Sequence, residues 1–305
     1  MNVPSRHDAE SELSVGTVKT LFRFPIKSVG GRMIPQAHVD TSGLLGDRRY
    51  AFVDLESGNL CNAKNPRKYG SMLACRALYT EEPRPGEPLP VLEVVFPDGS
   101  AHRNIGTALD DAMSRYLGRR VRLTTSVPEG AKTELVWDEA IPKDVVGDYL
   151  TVNADGDDVL TYAPNEGDTF FDLTPLHFLT TSTLEFFQKR HASANFDALR
   201  YRPTMLVDTP EAGLVEDVWV GGTLAVGDGL RAKIELHTSR CVMSTLAHAS
   251  DVPLDRATLR TIVRHNTKVI PGMGRWACAG VYAGVVRPGY VRVGDQVRFQ
   301  PVADR

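Results

Sequence analysis

The sequence predicts an α+β protein that is rich in β-structure and centred on a β-barrel. Strand-like segments dominate both ends of the chain, and turn pairs such as Asp98-Gly99 and Gly227-Asp228 separate them. Only three segments have clear helical periodicity. The chain has 305 residues, of which 42% are hydrophobic and 24% charged, so it can bury a sizeable core.

The first 12 residues are polar and acidic, and we expect them to form a disordered lead-in. They lack the apolar region of a secretory signal, and no apolar run reaches the about 20 residues that a bilayer span requires. The formal net charge is −3, which gives no support for nucleic acid or membrane partners. These features predict a cytoplasmic protein.

Residues 13–130 are predicted to form a first β-domain, with strands in "VGTVKTLFRFPIKSV", "RRYAFVDLESGNL" and "VLEVVFPDGSAHR". Apolar residues repeat at helical spacing in "GTALDDAMSRYLGRR", where Gly118 is expected to end a helix. Residues 131–167 are rich in Asp, Pro and Gly, and they are interpreted as a partly mobile connection between two halves.

Residues 168–305 are predicted to form a second β-rich domain. Its first helix lies in "TSTLEFFQKRHA", with Thr181 or Ser182 as candidate N-cap. A second helix lies in "LDRATLRTIVRHN", and the rest of this sequence is interpreted as strands joined by turns. No dinucleotide-binding, Walker or zinc-protease motif is present.

Cys241, in "HTSRCVMSTL", follows a segment that alternates like a strand. Arg240 would favour the thiolate if the two side chains lie close together, which requires that Cys241 lie at a strand end. A quiet buried thiol remains the alternative, since free cysteines are often buried. The spacing of the four cysteines fits no zinc or iron–sulfur motif.

Three other stretches place a basic residue beside proline or small polar residues: "FPIKSVGG", "GDRRYAF" and "YRPTMLV". Each could be an ordinary charged strand end. Together with the hydroxyls and helix N-terminus at residues 180–182 they would form a phosphate site, if the fold brings them together. His177, His191, His248 and His265 have no ligand-like spacing and are interpreted as structural or surface residues.

Five stretches of the sequence together resemble the MOSC-domain superfamily in its two-part form. In chain order they are "FPIKSVGG", "GLLGDRRYAFVD", "YRPTMLVD", "SRCVMSTL" and "GVYAGVVRPGYVRVGD". That form joins an N-terminal β-barrel MOSC domain, here residues 13–130, to the MOSC domain proper, here residues 168–305. The chain is similar to the mitochondrial amidoxime reducing component and its bacterial relatives. It is also similar to the C-terminal domain of molybdenum cofactor sulfurases.

The resemblance implies a bound molybdenum cofactor, a phosphorylated pterin dithiolene that holds molybdenum. Cys241 would be the catalytic residue and the protein ligand of the metal, and a soft thiolate suits that role. Charged and hydroxyl side chains would hold the phosphate and pterin. The implied cofactor-binding residues are Lys27, Ser28, Arg48, Thr180, Thr181, Ser182, Arg202, Thr204, Ser239 and Arg240.

Two departures from the family pattern stand out. The family's R-P-N reads Arg202-Pro203-Thr204 here, and a hydroxyl cannot replace the donors and acceptor of an amide. After the cysteine, T-T-V-D-P is replaced by residues 244–248, which lack the acidic residue. We expect this protein and its substrate to differ from those of its relatives there.

The resemblance implies an oxidoreductase that reduces a small N-hydroxylated or N-oxide substrate, independently of pyridoxal phosphate. Because the sequence holds no ferredoxin-like cysteine pattern, electrons are expected from a separate ferredoxin- or cytochrome-type protein. Two alternatives stay open. Cys241 could carry a persulfide for metal–sulfur or cofactor assembly, or the protein could carry the cofactor without turnover.

Overall fold

The computed structural model describes residues 12–143, 147–165, 167–249 and 252–302. The predicted lead-in lies outside the described residues, apart from Glu12. The strands are β1 Leu13–Arg23, β2 Arg32–Ile34, β3 Gln36–Asp40, β4 Gly43–Leu44, β5 Ala51–Asp54, β6 Arg76–Tyr79, β7 Leu92–Val95, β8 Ala101–Arg103, β9 Val121–Thr124, β10 Thr133–Val136, β11 Leu150–Val152, β12 Asp158–Tyr162, β13 Leu176–Thr180, β14 Met205–Asp208, β15 Thr223–Val226, β16 Leu230–Ser239, β17 Thr267–Ile270, β18 Gly274–Arg287, β19 Gly289–Arg292 and β20 Gln296–Gln300.

Four α-helices and five 3-10 helices accompany these strands in the described residues. None of these helices is long and apolar enough to cross a membrane. The α-helices are α1 Pro66–Tyr69, α2 Ala108–Leu117, α3 Thr181–Arg190 and α4 Ala257–His265. The 3-10 helices are Gly70–Ala74, Gly147–Tyr149, Ala198–Tyr201, Val215–Trp219 and Val242–Thr245.

Seven strands close into a barrel in the order β13-β14-β1-β20-β15-β16-β18, and β18 pairs again with β13. Only β13 and β14 run parallel among these pairs. Alternating side chains such as Val18, Phe178, Ile234 and Val297 fill the interior, where apolar burial stabilises the closed sheet. The predicted barrel-centred α+β class is confirmed.

The first strand of the chain belongs to this barrel, because β1 pairs with both β14 and β20. The register of β1 shifts at Gly16, where a Cβ atom would lie 2.1 Å from the Asp208 carbonyl oxygen. Only glycine allows that approach, so it lets β1 bend into the closed sheet. The domain boundaries drawn from sequence remain a prediction.

Two smaller N-terminal sheets, β5-β9 and β6-β7-β8, surround a second core that includes Phe52, Met72 and Met113. The β19-β3-β4 sheet packs on the barrel core instead. Helix α2 ends as expected, because Gly118 adopts a left-handed conformation with φ of 64°.

The predicted connection at residues 131–167 has more structure than its composition suggests. Its strands form a separate sheet, β10-β12-β11, whose apolar side chains pack on a third core with Phe187 and Trp276. Leu135 and Trp137 are buried there. Short strands among Asp, Pro and Gly are hard to detect from sequence, because tertiary packing stabilises them rather than propensity.

The predicted N-cap of α3 is wrong by one or two residues. Thr180, with extended backbone, is the N-cap, and its side chain accepts a hydrogen bond from the Thr183 backbone N–H at 3.1 Å. Thr181 and Ser182 are the first helical residues. Several hydroxyls stand side by side here, so only the backbone conformation shows which of them caps the helix.

Candidate functional site

Cys241 lies where the sequence analysis expected it, just past the end of a barrel strand. Strand β16 ends at Ser239, and Cys241 is the N-cap of the 3-10 helix Val242–Thr245. Cys241 is half-buried, whereas the other three cysteines are buried. Cys241 also lines a cavity.

The cavity at Cys241 has a volume of about 240 Å³. Residues that are distant in sequence meet in its lining, as the sequence analysis required for a phosphate site. Eight of the predicted site residues line it: Lys27, Ser28, Arg48, Arg202, Thr204, Ser239, Arg240 and Cys241.

The backbone is strained at three of these positions. Ser28, Arg48 and Arg202 have φ values of 60°, 47° and 50°, and in the described chain no other residue besides glycine has positive φ. Such conformations cost about 1–3 kcal/mol each and tend to occur at functional sites. Their coincidence with one cavity indicates that the fold is shaped around this site.

Glycines 30 and 31 permit the turn that follows Ser28. A Cβ atom on Gly30 would lie 2.5 Å from the Cys75 carbonyl oxygen, and one on Gly31 would lie 2.0 Å from that of Arg23. The "VGG" of the first motif therefore reflects close backbone packing behind the cavity wall.

Four basic side chains, Lys27, Arg48, Arg202 and Arg240, form what we call the cationic end of the cavity. Arg202 donates from Nη1 to the Val29 carbonyl oxygen at 2.7 Å, and its Nη2 is buried without a hydrogen-bond partner. Burial and then the charge of Arg48 lower the pKa of Arg202 to about 9. A buried cation with a free donor is suited to an anionic ligand.

Arg48 supports Arg202. Its Nη1 pairs with the buried Asp47 carboxylate, and its Nη2 donates to the Arg202 carbonyl oxygen at 3.0 Å. Both guanidinium groups lie over the Phe24 ring, with Cζ-to-centroid distances of 4.8 Å for Arg48 and 4.2 Å for Arg202. Two like charges are thus held close together, which favours a bound anion.

Unlike Arg202, Arg240 uses the donors of its guanidinium group in hydrogen bonds to the protein. Nε donates to the Ala279 carbonyl oxygen at 2.9 Å, Nη1 to that of Tyr201 at 3.0 Å, and Nη2 to His177 Nε2. His177 Nε2 must accept, so its imidazole is neutral. Burial, followed by the charge of Arg240, holds the pKa of His177 well below its usual range.

Lys27 and Lys64 share one carboxylate. Asp172 Oδ1 lies 2.7 Å from Lys27 Nζ and 2.9 Å from Lys64 Nζ, and Lys64 also donates to Tyr162 Oη at 2.6 Å. Burial opposes ionisation of Asp172, but the two ammonium groups outweigh it and lower the pKa of this carboxyl. The cluster is an ionised buried network beside the cavity.

The electrostatics of Cys241 differ from the sequence-based expectation. Burial raises the pKa of the Cys241 thiol, and Lys64, not Arg240, is the nearby cation that opposes this most. Arg240 has a smaller effect because its guanidinium group is turned towards backbone carbonyls. The sequence neighbour is therefore not the main electrostatic partner.

Thr180, Thr181 and Ser182 do not line the cavity, contrary to the expected phosphate site at this helix N-terminus. Thr180 and Thr183 donate to the buried Glu216 carboxylate at 2.6 and 2.7 Å, and Thr181 donates to Asp208 at 3.0 Å. The hydroxyls of this segment serve helix capping and a buried carboxylate network instead.

The two departures from the family pattern have different surroundings. Thr204 Oγ1 accepts a hydrogen bond from the His177 backbone N–H at 3.1 Å, so it holds β13 in place at the cavity. Ser244 lines the cavity and donates to the Cys241 carbonyl oxygen at 2.9 Å. His248 lies in a neighbouring pocket with Phe24, and burial and then Arg202 lower its pKa to about 3.

Sequence reasoning missed several lining residues. Lys64 stands beside Asn65-Pro66 and therefore shows the same basic-and-proline pattern as the recognised stretches. Asp172 and Tyr162 carry no such signal, because only the fold brings them to the cavity.

The buried Tyr201 Oη lacks a hydrogen-bond partner, as does Arg202 Nη2.

Part of the cavity lining is apolar. We call Leu135, Leu160, Tyr162, Met273 and Trp276 the apolar wall; all five line the cavity and belong to one hydrophobic cluster. Cys241 packs against the same cluster. The thiol therefore lies where the cationic end meets the apolar wall.

The fold and this site define a β-barrel protein with a cation-lined cavity built around a single cysteine. Residues 15–81 match the MOSC N-terminal beta barrel domain, and residues 167–298 match the MOSC domain. The chain therefore contains both MOSC domains, in the order that the sequence analysis expected.

Among solved structures, the YUAD protein from Bacillus subtilis is similar over 96% of this chain and 98% of its own, with 10% identity and a TM-score of 0.44. YiiM from Geobacillus stearothermophilus is similar over 42% of this chain and 54% of its own, with 14% identity and a TM-score of 0.28. No curated protein matches the chain.

Proposed function

We propose that this protein is a molybdenum-cofactor-dependent oxidoreductase that reduces N-hydroxylated or N-oxide compounds with electrons from a separate ferredoxin- or cytochrome-type protein. MOSC domains bind molybdenum cofactor or act as sulfur carriers, which supports the general class. The observation that carries the proposal is the convergence of the cationic end on the one cysteine that is not buried.

The residues present fit a phosphorylated pterin. Six Lys and Arg side chains among the described residues line the cavity, against one carboxylate, that of Asp172. Buried polar atoms are normally hydrogen-bonded, so the unpartnered Arg202 Nη2 and Tyr201 Oη are suited to a polar ligand. A soft thiolate from Cys241 suits molybdenum.

When bound, the cofactor would supply the two-electron chemistry that removes oxygen from the substrate nitrogen. Arg202, Arg48 and Lys27 would hold the phosphate, and Ser28, Thr204, Ser239 and Arg240 would contact or position the pterin. Cys241 would ligate the metal after losing its proton, and the positive charge of Lys64 favours that loss.

Metal analysis tests the proposal. Protein purified from a host that makes the cofactor should hold near-stoichiometric molybdenum and a pterin detectable by fluorescence after oxidation. Cys241→Ala should lose most of the molybdenum, whereas the control Cys75→Ala, at a buried cysteine of the N-terminal core, should retain it. Loaded wild-type protein should reduce benzamidoxime with a chemical electron donor.

The position of Cys241, half-buried in the lining of the cavity, also favours a second candidate, a persulfide carrier for sulfur transfer. Protein without molybdenum but with a persulfide on Cys241 would replace the first proposal with this one. Loaded protein that reduces no N-hydroxylated compound would indicate a cofactor carrier.

A further inference from the structure

The apolar wall comes mainly from a part of the chain that neither MOSC domain includes. Leu135, Leu160 and Tyr162 lie on strands β10 and β12, between the matched ranges 15–81 and 167–298. Leu160 faces Leu135 in the register of these strands and Leu150 on the other side. Three of the five wall residues therefore lie outside the two matches, whereas all four residues of the cationic end lie within them.

The wall is held firmly in place. Trp137, which follows β10, packs edge-on against Trp276 of β18 with ring centroids 5.0 Å apart. The indole N–H of Trp137 donates to the Ile141 carbonyl oxygen at 3.1 Å, and that of Trp276 donates to the Met273 carbonyl oxygen at 2.9 Å. These contacts fix the wall before any ligand arrives, which is what a discriminating surface requires.

The wall offers a ligand no charged group of its own. Its two polar side-chain groups already have partners, because Tyr162 Oη accepts the hydrogen bond from Lys64 and the Trp276 indole N–H donates to the Met273 carbonyl oxygen. Apolar surface removed from water on this wall would contribute about 25 cal/mol per Å². A charged substituent would lose its hydration there without gaining a partner.

We propose that the apolar wall is the specificity surface of the site. It selects N-hydroxylated compounds whose carbon substituent is uncharged and aromatic or branched aliphatic, over those with small polar or charged substituents. This inference rests on the proposed function, with the cofactor at the cationic end and the substrate nitrogen near Cys241.

The test compares cofactor-loaded wild type with Leu160→Asp and Met273→Lys, two wall changes on different elements. Thr161→Asp is the matched control, because Thr161 is the exposed neighbour of Leu160 on the same strand. The probes are benzamidoxime, which is aromatic, and N-hydroxyurea, which is small and polar. Dissociation constants come from quenching of tryptophan fluorescence, since Trp276 lies in the wall, and kcat/KM comes from turnover.

We expect both wall variants to lower the preference for benzamidoxime over N-hydroxyurea at least about tenfold. Their molybdenum and pterin contents per folded molecule should match those of Thr161→Asp, which keeps the wild-type preference. Unchanged preference in both wall variants would overturn the inference. Loss of pterin from them, but not from the control, would assign the wall to the cofactor and overturn it as well.

Failure of the proposed function gives a different result. Protein that never holds molybdenum shows no turnover, but the fluorescence titration still reports binding. If in that case Leu160→Asp weakens benzamidoxime binding while Thr161→Asp leaves it unchanged, this result would retain the wall as a ligand-selecting surface without the redox reaction. Absence of benzamidoxime binding to wild type would overturn the specificity inference itself.

Discussion

The cationic end and the apolar wall are built in opposite ways. The cationic end uses left-handed backbone at Ser28, Arg48 and Arg202 and buries several like charges together. The apolar wall uses regular strands and ordinary side-chain packing. Under the proposed function, one end would anchor a fixed charged group, whereas the other would contact the substrate.

The physical consequence concerns stability. Strained backbone and clustered cations destabilise the cationic end unless an anion binds there, so ligand binding should stabilise the fold. The apolar wall is stable without a ligand, because its apolar side chains pack against one another and need no partner charge. Three variants probe this contrast, in order of decreasing effect.

The largest effect is expected for Arg202→Gln, which removes the buried cation that has a free donor. A lost hydrogen bond from a charged group weakens binding roughly 10- to 100-fold. We therefore expect pterin and molybdenum to dissociate on gel filtration at concentrations where wild type keeps them.

Arg190→Gln is the control for this change. Arg190 does not line the cavity, and its Nη1 donates to the Phe186 carbonyl oxygen at 2.9 Å, so its loss should leave cofactor retention at the wild-type value. Equal retention in wild type and Arg202→Gln would contradict the assignment of the cationic end as the anchor.

The second effect is acid sensitivity near the cationic end. His248 has its pKa lowered to about 3 by burial and then by Arg202, so between pH 6.5 and about 3 the unfolded state binds a proton that the folded state does not. The stability that this neutral histidine contributes is complete above pH 6.5 and decreases as the pH falls. Between pH 6.5 and 5 the loss amounts to about 2 kcal/mol.

The measurement is urea unfolding of wild type and His248→Gln at both pH values. The variant should lose less free energy of unfolding than wild type over this interval, because it lacks the titrating group. The same pH dependence in both proteins would show that His248 does not titrate in this way.

The smallest effect is expected outside both regions, at Thr180. Thr180→Val removes the N-cap of α3 and a hydrogen bond to Glu216, which should lower the free energy of unfolding by about 1–2 kcal/mol. Thermal and urea unfolding measure this loss. Molybdenum content per folded molecule should stay at the wild-type value, and a loss of molybdenum would restore the sequence-based role of Thr180 at the cofactor.

Local patterns predicted the parts of this protein that depend on neighbouring residues. Gly118 ends α2 as expected, and Cys241 lies at a strand end, because turn residues and alternation act over a few positions. The segment at residues 131–167 was underestimated. Its strands are stabilised by Trp137 and Trp276, which are far apart in sequence.

The candidate site could be predicted only in part. The resemblance identified most of the cationic residues, whereas the three hydroxyls that it placed at the site, on Thr180, Thr181 and Ser182, do not line the cavity. Asp172 and Tyr162 have no motif of their own, since their position at the cavity depends on distant packing. The effect of Arg240 on Cys241 depends on side-chain direction, which adjacency in sequence does not give.

By itself the sequence determined a β-rich fold, the MOSC resemblance and a cysteine at the end of a strand, because these follow from periodicity, turn residues and short motifs. Only the tertiary structure decided which charges surround Cys241, which donors stay free and that an apolar wall lines the same cavity. Burial and electrostatic fields arise from contacts between residues as distant as Lys27 and Cys241. No local stretch of sequence holds that information.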